Sequence, residues 1–245
     1  THEEMIREAM AGIDMPVYGV LRRDAALALP ERHLGLTPVE ENAAAETVRS
    51  IGERVEAGLD LDSILKLARS AAPMTIAEVK RAEKAAPVRI GVARDEAFSF
   101  YYAASLAELE AHGAKIIAFS PLHDEALPDV DGVLIGGGFP EMFAAQLAEN
   151  ASMHASLCRA AEEGMPVYAE CGGFLLLARV MESAGAQWPM SGVFPVRAEF
   201  QGRPQGLGYV RAVVTADNPW FPRGMELLGH EFHYSRCLWE KTPPP

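Results

Sequence analysis

Apolar and polar positions follow two different patterns along the chain, and the change falls near residue 88. From there, short apolar runs typical of buried strands alternate with stretches of helical periodicity. Strands are predicted at 88–93, 115–119, 130–135 and 165–169, helices at 101–112 and 141–164 (interrupted near Asn150), and further strands beside the main sheet at 193–200, 208–214 and 227–233. This alternation predicts an α/β fold, an open and mostly parallel sheet with helices on both faces.

Residues 1–72 show a different pattern, with a strand predicted at 15–21 and helices at about 39–57 and 61–71. The segment is too small and too poor in strands for a complete domain, so we interpret it as a partial α/β segment. Residues 73–87 hold a proline at each end of a charged run and form the predicted linker. The second domain is predicted at 88–245.

The composition excludes several classes of function. The net charge of −12 argues against nonspecific nucleic-acid binding. The sequence has no run of 18 apolar residues that would predict a transmembrane helix, and no signal peptide is recognised. The three cysteines, Cys158, Cys171 and Cys237, lack metal-ligand spacing, so no metal site is predicted. We expect a soluble protein in the reducing cytoplasm.

The stretch around Cys171 is the strongest candidate for chemistry. An apolar strand at 165–169 precedes it and an apolar helix is predicted at 174–181, so Cys171 lies on the turn between them. Such a turn presents a nucleophile at a helix N-terminus, and the flanking Gly172 and Gly173 allow its backbone conformation. The helix end is expected to favour the thiolate, which predicts a sulfur that is reactive near neutral pH.

A lone cysteine after a strand is more often a small buried hydrophobe, but two other stretches favour catalysis. A glycine loop at 136–138 follows the strand at 130–135, and His230 and His233 lie near the C-terminus. A cysteine, free amides and a distant histidine are the parts of a cysteine-dependent acyl-transfer site. The loop and Cys171 both follow strand ends, where ligands bind in parallel sheets.

Three strings in this order carry a family resemblance. They are Gly-Gly-Gly-Phe-Pro-Glu at 136–141, Ala-Glu-Cys-Gly-Gly-Phe at 169–174 and Gly-His-Glu-Phe-His-Tyr-Ser at 229–235. Together they closely resemble the glutamine amidotransferase domain of the cobyrinic (or hydrogenobyrinic) acid a,c-diamide synthase family, which implies a class I glutamine amidotransferase-like fold. The resemblance runs from about Val88 to Trp239. Residues 1–72 look like the end of that family's ATP-dependent synthetase domain.

The resemblance implies the glutamine-hydrolysing part of an ATP-dependent amidoligase, a carbon–nitrogen ligase. It would amidate the a and c carboxylates of cobyrinic or hydrogenobyrinic acid in cobalamin biosynthesis. The implied partners are glutamine, a corrinoid or other tetrapyrrole, and an N-terminal synthetase portion. ATP and Mg²⁺ are expected to serve the full-length enzyme. Neither is expected to bind this chain, which has no Gly-x4-Gly-Lys-Ser/Thr loop.

Glutamine hydrolysis needs a nucleophile, an oxyanion hole and a base. Cys171 is predicted to attack the side-chain amide and form a thioester. The amide of Gly172, with an amide from Gly137 or Gly138, is predicted to stabilise the tetrahedral oxyanion.

Two histidines compete for the role of base. Residues i and i+2 of a strand share a face, so His230 and His233 should face opposite sides. The resemblance places the family's histidine in the Glu-Phe-His triplet, which favours His233, within about 4 Å of the Cys171 sulfur. Glu231 and His230 are secondary candidates. Many related amidotransferases orient the histidine with a carboxylate two residues later, where this chain has Ser235, so the third member of the triad is open.

Three alternatives to this interpretation stay open. The substrate could be another tetrapyrrole, of the nickel-sirohydrochlorin or siroheme type, since the ring-binding surface has no short motif. The chain could be a catalytically silent, amidotransferase-like interaction domain, which the intact Cys171 and His233 argue against. It could also be a cysteine hydrolase or peptidase on the same elbow, which the string at 231–235 argues against.

Overall fold

A computed structural model of the chain describes residues 1–25, 44–74, 87–218 and 220–240. The chain divides into two compact units, Thr1–Val79 and Lys80–Pro245. The division falls inside the predicted linker at 73–87.

The first unit is helical over most of its described residues, with α1 (His2–Ala11), α2 (Ala44–Gly58) and α3 (Leu61–Arg69). Asp60 caps α3, because its Oδ1 accepts the Ser63 amide at 3.0 Å. The predicted strand at 15–21 is wrong: among the described residues of this unit, the only β pairing is an isolated bridge between Gly19 and Leu59. Because no second strand builds a ladder there, the described part is not α/β. The predicted start of α2 near residue 39 lies outside the described residues.

The centre of the second unit is a four-stranded parallel sheet made of β1 (Val88–Ala93), β3 (Ala114–Phe119), β4 (Gly132–Ile135) and β6 (Val167–Ala169). Their order across the sheet is β3-β1-β4-β6. The helices between and after them are α4 (Ala103–Ala111), α5 (Ala144–Glu149), α6 (Ala151–Glu162) and α7 (Gly172–Leu177). A 3₁₀ turn over Pro140–Phe143 precedes α5. The predicted α/β class is confirmed, and the interruption at Asn150 is real, since its side chain caps α6.

Three smaller sheets complete the described part of this unit. In the first, β2 (Phe98–Phe100) pairs antiparallel with β5 (Gly137–Gly138). The second has the order β12-β9-β7-β8, built from β7 (Val180–Ser183), β8 (Ala186–Pro189), β9 (Val196–Phe200) and β12 (Ser235–Trp239). The third is the hairpin of β10 (Gly206–Val213) and β11 (Glu226–His233).

The helix predicted at 174–181 is too long, because α7 ends at Leu177 and β7 begins at Val180. The apolar run is divided between two elements: Met181 pairs with Ala198 of β9 and is fully buried. Leu175, Leu176 and Leu177 are also buried in the core. This packing fixes α7, and with it the turn that carries Cys171. Across the described ranges, no helix combines the length and apolar character needed to span a bilayer.

Candidate active site

Cys171 lies on the turn between β6 and α7, as predicted. Its own backbone adopts φ 51° and ψ −117°, a left-handed conformation that is rare outside glycine. A residue held in this way costs about 1–3 kcal/mol, and the surrounding structure must maintain it. Hydrogen bonds on both sides do so, from the Glu170 amide to the Ile135 carbonyl at 3.1 Å and from the Gly173 amide to the Glu170 carbonyl at 2.9 Å.

Gly172 and Gly173 are needed because a side chain would not fit there, and not because the turn requires a glycine backbone conformation. This corrects the expectation that they allow the conformation of the turn. Neither has a positive φ. A Cβ on Gly173 would lie 2.2 Å from the Ile135 carbonyl oxygen, and a Cβ on Gly172 would lie 2.9 Å from Pro140 Cδ. Any side chain at either position would therefore push α7 away from β4 and the glycine loop.

Two backbone amides converge on the Cys171 sulfur. The N–H groups of Gly172 and Gly138 both lie close enough to the sulfur to lower the pKa of the thiol. Gly137 also lies against this residue, since a Cβ there would be 3.4 Å from Cys171 Cβ. Of the two glycines left open by the sequence, the structure thus directs the Gly138 amide at the sulfur.

The expectation that Cys171 favours the thiolate is wrong for the resting structure. Although the residue is partly exposed, protein surrounds the sulfur sufficiently for burial to raise the pKa of the thiol. The carboxylates of Glu141 and Glu170 raise the pKa further, and the two amides do not compensate. The thiol must consequently lose its proton to a base during reaction.

The glycine loop is held close to a neighbouring strand. Phe98 pairs with Gly138 and Phe100 with Gly137, and the Phe139 amide donates to the Ala97 carbonyl at 3.0 Å. A Cβ on Gly138 would lie 2.0 Å from the Ala97 oxygen, so only glycine fits at that point. The loop can present its amides because its backbone approaches β2 without side chains between them.

The two candidate histidines lie on opposite faces of the hairpin, as the strand alternation predicted. His230 pairs across the ladder with Tyr209, and their rings meet edge to face at 5.4 Å. His233 lies on the other face, opposite Gly206. Glu231 shares the face of His233, with its Oε2 3.4 Å from His233 Nε2.

The other nitrogen of His233 identifies what orients the ring. Its Nδ1 lies 2.8 Å from the backbone carbonyl of Ser235. A carbonyl oxygen only accepts hydrogen bonds, so Nδ1 carries a proton and donates it. The residue two positions beyond the histidine therefore contributes its backbone oxygen at the place where related amidotransferases use a carboxylate.

The structure does not join the cysteine and the histidine directly. Among the described residues, the amides of Gly138 and Gly172 approach the Cys171 sulfur, and the polar contacts of the His233 ring are with Glu231 and Ser235. The expected approach of imidazole to sulfur is thus not formed as a hydrogen bond, because Nε2 faces the Glu231 carboxylate.

Glu141 and Glu170 are features of the site that the sequence reasoning missed. Both carboxylates lie near enough to Cys171 to raise the pKa of its thiol. Their positions were readable as signals, since Glu141 ends the glycine-rich string and Glu170 directly precedes the cysteine. The site around the sulfur is therefore electrically negative.

The described residues show no set of side chains arranged for ATP or Mg²⁺. The sequence lacks a phosphate-binding Gly-x4-Gly-Lys-Ser/Thr loop. Over residues 1–25, 44–74, 87–218 and 220–240, no group of three or more His, Cys, Asp and Glu side chains is arranged to hold a metal ion.

A strained cysteine at a strand-to-helix elbow of an α/β sheet, with amides converging on its sulfur, defines the class of cysteine-dependent acyl-transfer sites. Residues 89–245 match the family described as the CobB/CobQ-like glutamine amidotransferase domain. The chain belongs to this family.

Relatives match nearly the whole chain. Cobyrinate a,c-diamide synthase of Dehalococcoides mccartyi is 42% identical over 251 residues, which cover 99% of this chain and 54% of that protein. Hydrogenobyrinate a,c-diamide synthase of Rhizobium meliloti is 41% identical over 247 residues, covering 100% of this chain and 56% of that protein. The chain thus spans about half the length of these relatives. A solved structure of a glutamine amidotransferase aligns at 18% identity with a TM-score of 0.39 over 62% of this chain and 74% of that one, a likeness too slight to support any conclusion.

Proposed function

We propose that this chain hydrolyses glutamine and delivers the ammonia to an ATP-dependent amidoligase of which it is the glutaminase part. The observation that carries the proposal is the convergence of the Gly138 and Gly172 amides on the sulfur of Cys171 at a strained elbow. Paired amides beside a nucleophile are suited to an acyl-transfer transition state, in which charge develops on the carbonyl oxygen.

The reaction begins with the thiol. His233 Nε2 takes the proton of Cys171 while the sulfur attacks the side-chain amide carbon of glutamine. The carbonyl oxygen becomes an oxyanion beside the Gly138 and Gly172 amides. Collapse of this intermediate expels ammonia, which takes the proton from His233, and leaves a glutamyl thioester. Water then hydrolyses the thioester to glutamate and restores the thiol.

The Ser235 carbonyl prepares His233 for this work. By holding the proton on Nδ1, it leaves Nε2 as the nitrogen that exchanges a proton with the sulfur. In the resting structure Nε2 faces Glu231 Oε2 at 3.4 Å, a contact that is favourable only when Nε2 also carries a proton. Nε2 must lose that proton and turn from Glu231 to Cys171 before it can act as the base. We accordingly assign the third position of the triad to a backbone carbonyl, and Glu231 to the resting position of the ring.

The acceptors of the ammonia are proposed from the relatives. Their names point to the a and c carboxylates of cobyrinate or hydrogenobyrinate. ATP and Mg²⁺ would serve the activation of those carboxylates, and we place that chemistry in the part of the relatives that this chain does not span. A catalytically silent domain is disfavoured by the intact nucleophile and amides.

The test is Cys171→Ala in the full-length enzyme. Amidation driven by glutamine should fall to background, because the thiol that liberates ammonia is missing. Amidation driven by added ammonium chloride should persist, because that route bypasses the thiol. Loss of both activities in a folded variant, or retention of the glutamine-driven one, would contradict the proposal.

A further inference from the structure

Tyr101 connects two strands at the edge of the sheet where the site lies. Its hydroxyl donates a hydrogen bond to the carbonyl of Ala93, the last residue of β1. The same oxygen accepts the amide of Gly136, directly after β4, at 2.8 Å. One phenol thus bridges the carboxyl ends of two adjacent parallel strands.

The ring is fitted to the glycine loop as closely as its hydroxyl. A Cβ on Gly136 would lie 2.7 Å from Tyr101 Cε1 and 2.8 Å from Cζ. The ring therefore occupies the space of a side chain at residue 136. Burial raises the pKa of Tyr101 to about 12, so the phenol keeps its proton and remains a donor at neutral pH.

The loop needs this support because its other attachment is irregular. β5 has two residues, and its ladder with β2 shifts register between Phe98 and Phe100. Gly136 links the end of β4 to Gly137 and Gly138, so its position sets where these two residues lie. A bond that fixes the Gly136 amide therefore fixes the direction of the Gly138 amide two residues later.

We propose that Tyr101 is a positioning residue that holds the Gly136–Gly138 backbone so that the Gly138 amide meets the oxyanion. The proposal deepens the proposed function and rests on it. Tyr101 acts through the backbone of the loop. Its loss should slow formation of the tetrahedral intermediate without weakening the first binding of glutamine.

The test is Tyr101→Phe in the full-length enzyme, with Tyr102→Phe as the matched control. Tyr102 is the adjacent residue, is 83% exposed and has no side-chain hydrogen bond among the described residues. For glutamine hydrolysis we expect kcat to fall about 10- to 100-fold in Tyr101→Phe with KM within about two-fold, since one oxyanion donor is misplaced. The Tyr102→Phe enzyme should match the wild type.

Alkylation of Cys171 by iodoacetamide separates positioning from general damage. This reaction displaces iodide and forms no oxyanion. Its limiting rate at high pH, where the thiol is fully ionised whatever the Gly138 amide does to its pKa, should therefore be unchanged in Tyr101→Phe. Wild-type kcat in this variant, or a parallel fall of kcat and the limiting alkylation rate, would overturn the proposal. If Tyr101→Phe does not fold, a second variant, Gly136→Ala, disturbs the same contact from the loop side. It should likewise lower kcat without changing the limiting alkylation rate of Cys171.

Amide hydrogen exchange tests, without catalysis, whether the Tyr101 hydroxyl holds the Gly136 amide; we call this hydrogen bond the clamp. The Gly136 amide loses its acceptor in Tyr101→Phe and should exchange at least about 10-fold faster than in the wild type. Unchanged exchange would overturn the clamp. If the wild-type enzyme forms no glutamate from glutamine, the proposed function fails and the oxyanion role of Tyr101 fails with it, whereas exchange still decides whether the clamp exists.

Discussion

The nucleophile and the histidine stand on two very different supports. Cys171 is followed by an apolar helix whose leucines are buried in the core, and the glycines beside it leave no space for a side chain. The hairpin that carries His233 is a two-stranded sheet in which Tyr209 is 93% exposed and Leu228 is 78% exposed. A two-stranded sheet is marginally stable by itself.

This difference shows which catalytic group is positioned by the core and which is positioned only by local contacts. The position of the sulfur is determined by close packing, since a Cβ on Gly138, Gly172 or Gly173 would lie 2.0, 2.9 or 2.2 Å from a neighbouring atom. The position of the imidazole is determined locally, by the Ser235 carbonyl and the Glu231 carboxylate. In the proposed mechanism, the closely packed half of the site, Cys171 with the glycine loop at 136–138, holds the reacting carbonyl, and the hairpin supplies the proton acceptor.

The largest effect is expected when the imidazole on the hairpin is removed. His233→Asn should reduce glutamine hydrolysis by about 10²–10⁴-fold, because it removes the imidazole that we propose takes the thiol proton. His230→Asn should cost far less, because His230 lies on the opposite face against Tyr209. The measurement is glutamate formation by both variants of the full-length enzyme, with folding checked by circular dichroism. A larger loss at His230 would reverse the assignment.

A smaller effect is expected when a side chain is added at Gly206, which lies opposite His233 in the hairpin. A Cβ on Gly206 would lie 2.3 Å from His233 Nε2 and 2.7 Å from Glu231 Cδ. Gly206→Ala should displace the ring and lower kcat about 10-fold, a typical cost of misplacing a catalytic group. Gly229→Ala is the matched control, because its Cβ would meet only Val210 Cγ2, at 3.5 Å. Equal kcat values for the two variants would show that the hairpin adjusts freely.

The smallest effect concerns the charge around the sulfur. The pKa of the Cys171 thiol is raised by burial first, and then by the Glu141 and Glu170 carboxylates. A raised pKa lowers the thiolate fraction at neutral pH, so alkylation by iodoacetamide should continue to accelerate above pH 9. Glu170→Gln removes one carboxylate, lowers the pKa and should speed alkylation about two-fold at pH 8. The rate is read at the Cys171 peptide by mass spectrometry; a profile that levels off near pH 7 would contradict the raised pKa.

Periodicity and motifs were enough to predict the closely packed half of the site. The strand before Cys171, the turn and the glycine loop all follow from short apolar runs bounded by glycine and proline. The opposite faces of His230 and His233 follow from strand alternation. These features are local, so a single sequence contains them.

The remaining features depend on contacts between distant residues. The raised pKa of Cys171 reflects burial and two carboxylates, which outweigh the nearby amides of Gly172 and Gly138. The Ser235 backbone oxygen is a hydrogen-bond partner that no side-chain pattern reveals. The strand predicted at 15–21 failed because an apolar run forms a strand only where a partner strand completes the ladder.

The central claim is that Cys171 forms a thioester with the side chain of glutamine. Full-length enzyme turning over glutamine labelled in its carbon chain should be quenched in acid and digested, and the peptides analysed by mass spectrometry. The account predicts a glutamyl adduct on the peptide containing Cys171, removed by hydroxylamine and absent from Cys171→Ala. Glutamate formation with the adduct on another residue, or undiminished in Cys171→Ala, would contradict it.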